Sequence, residues 1–272
     1  MTETSRKLLV VALSLALVGS IMAVGAIAGG TADSDDSDAD PQQTSYLRAV
    51  HASPDAPAVD VMVENETVLE NVSFGDVSEY LPVEAGTYNV TIAAAEDPDT
   101  VVFDGNVTLE PRTVTTLAAT GEISDGAETS FEPVAFEDTA VTPGANDSAV
   151  RVVHLSPDAP TVDITAGDGS VVLAENVSYQ NASDYATVPA GNYTVEIRAA
   201  TADNDGDIVT TVDVSLENGT AYSAMAVGYL NPDEAPADTM FEVLTAEDAT
   251  KTIVVPTDEE DSEDEMTTES ES

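Results

Sequence analysis

Two fourteen-residue stretches hold most of the side chains in this chain that could do chemistry. "RAVHASPDAPAVDV" starts at Arg48 and "RVVHLSPDAPTVDI" starts at Arg151, 103 positions later. Each holds one of the two histidines, a serine and two aspartates: His51, Ser53, Asp55 and Asp60, then His154, Ser156, Asp158 and Asp163. A histidine near a carboxylate can act as general acid and base. A hydrolase built on His51 or His154 would also need a nucleophile. Ser53 and Ser156 each lie in a proline-flanked turn, without a G-x-S-x-G elbow. The four aspartates offer hard oxygen ligands for Ca²⁺, but that ion takes about six to eight of them and each phrase supplies two. Zinc is served worse, with one histidine per phrase and no cysteine anywhere. A small ligand or a carbohydrate held by the turns is a further alternative.

The same residues also read as strand, turn, strand. Leu47, Ala49 and His51 alternate with Arg48 and Val50. Pro54 and Pro57 cannot donate to a ladder and break it. Ser53 and Asp55 can accept backbone hydrogen bonds inside the turn. Asp60 interrupts an apolar strand, where it would face water or cap a loop. Arg48 or Arg151 in a buried ion pair would be costly unless every donor were matched. On this reading there is no catalytic residue, no metal and no cofactor. His51, Asp55, Asp60, His154, Asp158 and Asp163 remain the candidate ligand-binding set.

The phrases sit inside a longer repeat. "NVSFGDVSEYLPVEAGTYNVTI" from Asn71 matches "NVSYQNASDYATVPAGNYTVEI" from Asn176. "LEPRTVTTLAATG" from Leu109 matches "LENGTAYSAMAVG" from Leu216. The offset drifts only slightly, as expected for loop changes between fixed strands. "TYNVTI" sets Tyr88, Val90 and Ile92 on one face and polar residues on the other. "NYTVEI" does the same with Tyr193, Val195 and Ile197. Period-two alternation of this kind marks half-buried strands. Gly86 and Gly191 precede these strands and are placed to give the positive φ of a tight turn. About seven or eight short strands per unit suggest a sandwich. Phe131 and Phe136 fall in the last strand of the first unit, Phe241 and Val243 in that of the second. No ten-residue helical period follows Ala28.

The boundaries follow: 1–28 a signal peptide or membrane anchor, 29–44 an acidic linker, 45–140 a first β-sandwich, 141–147 a linker, 148–250 a second β-sandwich and 251–272 a disordered acidic tail. Arg6 and Lys7 precede an uncharged apolar run from Leu8 to Ala28 and then a polar flank, the order of a secretory signal. Its 21 residues also match a membrane span. Either way the acidic bulk is exported.

The formal charge is −45, from 52 acidic and 7 basic residues. Between Pro41 and Val255 there are 37 acidic residues against five basic ones, so the folded part carries the excess too. Such self-repulsion penalises compactness. Molar salt shortens the Debye length to about 3 Å and removes most of the penalty. With only two lysines, the composition fits a halophile, a haloarchaeon. Nucleic acid is disfavoured as a partner, since phosphates would meet like charge. Nine asparagines open N-x-[ST] sequons: Asn65, Asn71, Asn89, Asn106, Asn146, Asn176, Asn181, Asn192 and Asn218. They are glycosylation candidates on an exported protein, although alternation on a water-facing strand also pairs Asn with Thr.

The strand-H-x-S-P-D-A-P-x-V-D phrase, followed by V-x-A-G-x-Y-x-V, resembles the DUF4397 domain, over roughly Ser45–Phe136 and Ser148–Leu244. Glu84 stands where the second unit has Pro189, a small departure in a turn. The resemblance implies an all-β, immunoglobulin-like or transthyretin-like sandwich in a cell-envelope setting, and no established activity. The expectation is thus a non-enzymatic, exported protein with two tandem β-sandwich domains. It is secreted or anchored through its N-terminal segment. Its role is structural, adhesive or surface-binding, with cell-envelope proteins or glycans as partners.

Overall fold

The computed structural model describes residues 43–251. The apolar run, the acidic linker up to residue 42 and the acidic tail from residue 252 lie outside the described residues. Unit one runs β1 (Thr44–His51), β2 (Val59–Val63), β3 (Glu66–Val72), β4 (Leu81–Glu84), β5 (Gly86–Ala94), β6 (Asp97–Leu109), β7 (Val114–Thr120) and β8 (Glu132–Glu137). Unit two runs β9 (Asp147–His154), β10 (Val162–Ala166), β11 (Val171–Val177), β12 (Asn181–Ala182), β13 (Ala186–Pro189), β14 (Gly191–Ala199), β15 (Ile208–Leu216), β16 (Ala221–Val227) and β17 (Glu242–Asp248). Among the described residues the only helical piece is a 3₁₀ turn at Pro232–Glu234. The all-β sandwich class read from the sequence is what the chain adopts.

Each unit is two sheets. In unit one an outer sheet runs β3-β2-β5-β6 and an inner sheet β4-β1-β7-β8. In unit two the outer sheet runs β11-β10-β14-β15, and the inner sheet is β9-β16-β17 with β12 and β13 both paired to β9. All the pairs are antiparallel except β1 with β7 and β9 with β16, which are parallel. Parallel pairs usually sit where both faces are covered, and these do. From Ser148 onward β9 is buried along its whole length.

The second face of each inner sheet is covered by the other unit. Val50, Ala52, Ala118 and Phe136 of unit one form one buried cluster with Val153, Leu155, Met225 and Val227 of unit two. The molecule is therefore four layers deep, outer, inner, inner, outer. Along β1, Arg48 and Val50 turn toward the other unit, while Ala49 and His51 turn toward their own outer sheet. Within unit two, Val150 and Val152 join Val162, Ile164, Val195 and Ile197 in the sandwich core.

Several local expectations shift. Gly86 is not in a left-handed conformation and simply opens β5; the turn before it is tied instead by Ala85 N–H donating to the Gln43 carbonyl at 2.6 Å. Phe131 and Phe241 each lie one residue before the strand expected to hold them, with Phe136 and Val243 inside. Lys251 forms a bridge with Val141, so the C-terminal segment returns beside the linker between the units.

Candidate functional site

Each repeated phrase carries the chain from the inner sheet of its unit to the outer one, from β1 to β2 and from β9 to β10. The turn is held by the side chains that looked reactive. Ser53 Oγ donates to the Gly121 carbonyl at 2.6 Å, and Ser156 Oγ donates to the Gly228 carbonyl at 2.6 Å. Those glycines have φ of 79° and 78°. A Cβ at Gly121 would stand 2.0 Å from the Ser130 carbonyl oxygen, and one at Gly228 would stand 2.3 Å from that of Met240. Only glycine fits there. Asp55 accepts from the N–H groups of Ile123 and Ser124, at 3.0 and 2.9 Å. Asp158 accepts from Leu230 and Asn231, both at 2.8 Å. Each turn thus pins the loop that leaves the neighbouring strand, β7 or β16.

Asp60 and Asp163 do a second job. Opposite each lies a bulge: one residue of β2 or β10 faces two of β3 or β11. A bulge leaves an N–H outside the ladder. Asp60 accepts from Asn71 N–H at 2.7 Å, and Asp163 accepts from Asn176 N–H at 2.8 Å. Both asparagines have φ of 53°, a left-handed conformation that Asn tolerates better than most residues. Asp163 also accepts from Thr201 N–H at 2.8 Å.

The histidines are buried, each 1% exposed. His51 Nε2 lies 3.0 Å from the Pro57 carbonyl oxygen and His154 Nε2 lies 3.0 Å from that of Pro160. A carbonyl only accepts, so each Nε2 carries the proton. Nδ1 of each ring has no hydrogen-bond partner among the described residues. Burial lowers the pKa of both below the ordinary 6.5, against a smaller opposing effect of the proline carbonyl bond. Both rings are therefore neutral braces at neutral pH. No hydrogen bond joins His51 to Ser53 or His154 to Ser156. Among the described residues no group of three or more His, Asp or Glu stands placed to hold a metal ion.

The arginines that open the phrases build the other notable feature. Arg48 Nη2 lies 2.7 Å from Asp248 Oδ1, and Arg151 Nη2 pairs with Asp138. Each arginine therefore crosses to the carboxylate of the other unit or its trailing segment. Arg48 Nε and Nη2 also donate to Thr116 Oγ1, and its Nη1 donates to the Glu247 carbonyl at 3.0 Å. Arg151 repeats the pattern with Ser223 and the Glu137 carbonyl. Tyr80 donates to Asp138 at 2.6 Å and Tyr185 to Asp248 at 2.8 Å. Their rings lie against the guanidiniums, with Arg48 Cζ 4.6 Å from the Tyr80 centroid and Arg151 Cζ 5.1 Å from that of Tyr185. Burial raises both tyrosine pKa values well above the ordinary phenol, which keeps the hydroxyls as donors. The set is dry: both aspartate side chains are 0% exposed. Buried ion pairs hold only when their remaining donors and acceptors are matched, and here they are. Residue i reaching j of the partner while j reaches i is the signature of a twofold interface. The two units form a pseudo-dimer within one chain.

Comparison with protein families places both units. The model for "Domain of unknown function (DUF4397)" matches residues 45–165 and 148–259. The chain belongs to the DUF4397 family. No curated protein matches it. Among solved structures, a leucine-rich repeat protein from Bacteroides thetaiotaomicron VPI-5482 matches at 13% identity with a TM-score of 0.19. That match covers 66% of this chain and 26% of the other, so this chain spans about a quarter of that protein's length.

In this tandem DUF4397 chain the six candidate ligand residues do not converge. The histidines face their own sandwich interiors, Asp55 and Asp158 face loop N–H groups, and Asp60 and Asp163 face bulges. The residues that sequence reasoning missed are Asp138, Asp248, Tyr80, Tyr185, Thr116 and Ser223. Their signal lay in the repeat itself: "SEY" recurs as "SDY", and Glu137-Asp138 recurs as Glu247-Asp248. Eight of the nine sequon asparagines are exposed and Asn89 is half-buried.

Proposed function

We propose that this chain is an exported, non-enzymatic cell-envelope protein whose two DUF4397 sandwiches act as one rigid body with a structural, adhesive or surface-binding role. The observation that carries this reading is how the repeated phrase is used. Its serines, aspartates and arginines are spent on backbone groups and on the joint between the units. Its histidines are neutral and buried. A phrase that only shapes a scaffold leaves the outer surfaces and loops as the parts that meet a partner. The acidic surface suits a salt-rich exterior, and accessible sequons suit surface sugars. The N-terminal apolar run supplies either a cleaved signal or an anchor. Partners on this reading are envelope proteins or glycans.

Fractionation of native cells followed by intact-mass analysis tests it. The expected result is protein in the envelope or medium, carrying sugar mass, with or without loss of the first 28 residues. An unmodified full-length protein confined to the cytoplasm would overturn it. Titration calorimetry with Ca²⁺ and with glycans addresses the alternative of binding at the turns. Saturable heat that vanishes in Asp55→Ala and Asp158→Ala would favour that alternative.

A further inference from the structure

The joint is nearly symmetric, but at its centre it is not. Glu122 follows Gly121 and Tyr229 follows Gly228, so the two hold equivalent places in the repeat. They also touch: Tyr229 donates its hydroxyl to Glu122 Oε1 at 2.8 Å. Residues related by a twofold can meet each other only on the axis. Both are buried, Glu122 at 6% and Tyr229 at 2% exposure. Glu122 also accepts from Thr129 N–H and Thr129 Oγ1, at 3.2 and 2.7 Å. Its carboxylate is thus matched by three donors, one of them from the other unit. Asp55 and Asp158 lie close enough to Tyr229 to act on its hydroxyl electrostatically.

We propose that this pair makes the joint heterotypic: unit one fits a partner that presents a hydroxyl donor on the axis, which is unit two, and rejects a second unit one. Two copies of unit one would bring Glu122 against Glu122 in a dry setting, where like carboxylates cannot both ionise. Two copies of unit two would leave paired tyrosines without the carboxylate acceptor. A second contact runs one way only. Gln180 of unit two donates to Thr120 Oγ1 and Glu132 Oε1 of unit one, both at 2.9 Å. The equivalent residue of unit one is Gly75, which has no side chain to return the contact. Specificity of this sort combines attraction to one partner with a penalty against another. The inner face is then a recognition surface with a stated complement, a DUF4397 sandwich carrying Tyr or another donor at the position of Tyr229.

The test uses the full chain with a protease site between Gly144 and Ala145 in the linker, cleaved after folding in about 1 M KCl. The two halves should stay together through size-exclusion chromatography with light scattering, as a one-to-one complex. Tyr229→Glu should separate them at about pH 8 and let them rejoin near pH 5, where one of two facing carboxyls takes a proton. The expected loss of affinity at the higher pH is about 100-fold or more. Tyr229→Gln, which keeps a donor for Glu122 and adds no charge, should stay joined at both values. Circular dichroism of each variant reports whether the strands persist. Tyr229→Glu halves that stay joined at about pH 8 would overturn the proposal. So would Tyr229→Gln and Tyr229→Glu halves that part alike.

Discussion

β2 and β10 hold equivalent places in the two outer sheets, yet every residue of β10 is buried, while only Val59 of β2 is. The inner sheets show why. Where unit one sets Ala49 and Thr115 toward its own interior, unit two sets Val152 and Tyr222. Unit two therefore has a broad core of valine, isoleucine and leucine, and unit one closes over a smaller buried group of Val59, Val72, Val90 and Ile92. The charged set of the joint shows no such drift, although the pair on its axis differs. Arg, Asp, Tyr and a hydroxyl residue occupy the same four places in both copies. A duplicated sandwich can relax its interior separately in each copy, because each core answers only to itself. A reciprocal joint answers to both copies at once, and a change on one side strands a buried charge on the other.

The largest expected effect breaks the shared part. Arg48→Ala and Arg151→Ala each leave a buried aspartate short of its cation, so each should cost about 3–5 kcal/mol. Urea unfolding in molar KCl reads this, and the two losses should match closely. A negligible loss at either position would show that the joint is not the common element. Next comes the part that differs. Ile164→Ala in unit two should cost about 2–5 kcal/mol, as for other buried large-to-small changes. Val61→Ala, at the equivalent half-buried place in unit one, should cost about 1 kcal/mol. Equal losses would mean that the two cores are alike in solution.

The bulge carboxylates give a finer version of the same contrast. Asp163 holds two N–H groups and Asp60 holds one. Asp163→Ala should therefore cost about 2 kcal/mol and Asp60→Ala about 1 kcal/mol. Hydrogen exchange at Asn71, Asn176 and Thr201 would localise the loss. The smallest effect is a pH dependence. Burial holds both histidines below 6.5, so the unfolded chain binds protons that the folded chain refuses. Stability from this source is complete above that value and declines as pH falls through it. His51→Gln with His154→Gln should flatten the unfolding midpoint between about pH 7 and pH 5.5. An unchanged slope would show that the rings accept protons in the folded state.

The strands, the duplication and the bend after each histidine were legible because they are local or repeated. Alternation in "TYNVTI" marks a face, and two prolines mark a break. The asparagines at 71 and 176 were legible only as sequons; the bulge that asks for their left-handed backbone depends on a register that no single strand encodes. The joint was hidden by a two-layer assumption. The sequence raised a buried ion pair for Arg48 or Arg151, but with one face of an inner strand turned to water it pointed to no carboxylate across a joint. The clue against this was Ser148–Ser156, where apolar residues fill both alternating positions, as in a strand covered on both sides. Asp138 lies only 13 residues before Arg151, across the linker, whereas Asp248 is 200 residues from Arg48.

The position of that pair has a mechanical consequence. Arg48 stands near where the chain enters its first strand, and Asp248 near where it leaves the last. Tension applied between the two ends of the described chain would load this contact early, next after the bridge that ties Lys251 to Val141 in the linker. A protein tethered at one end and pulled at the other would find its clasp placed at the mouth of the fold, shielded from solvent.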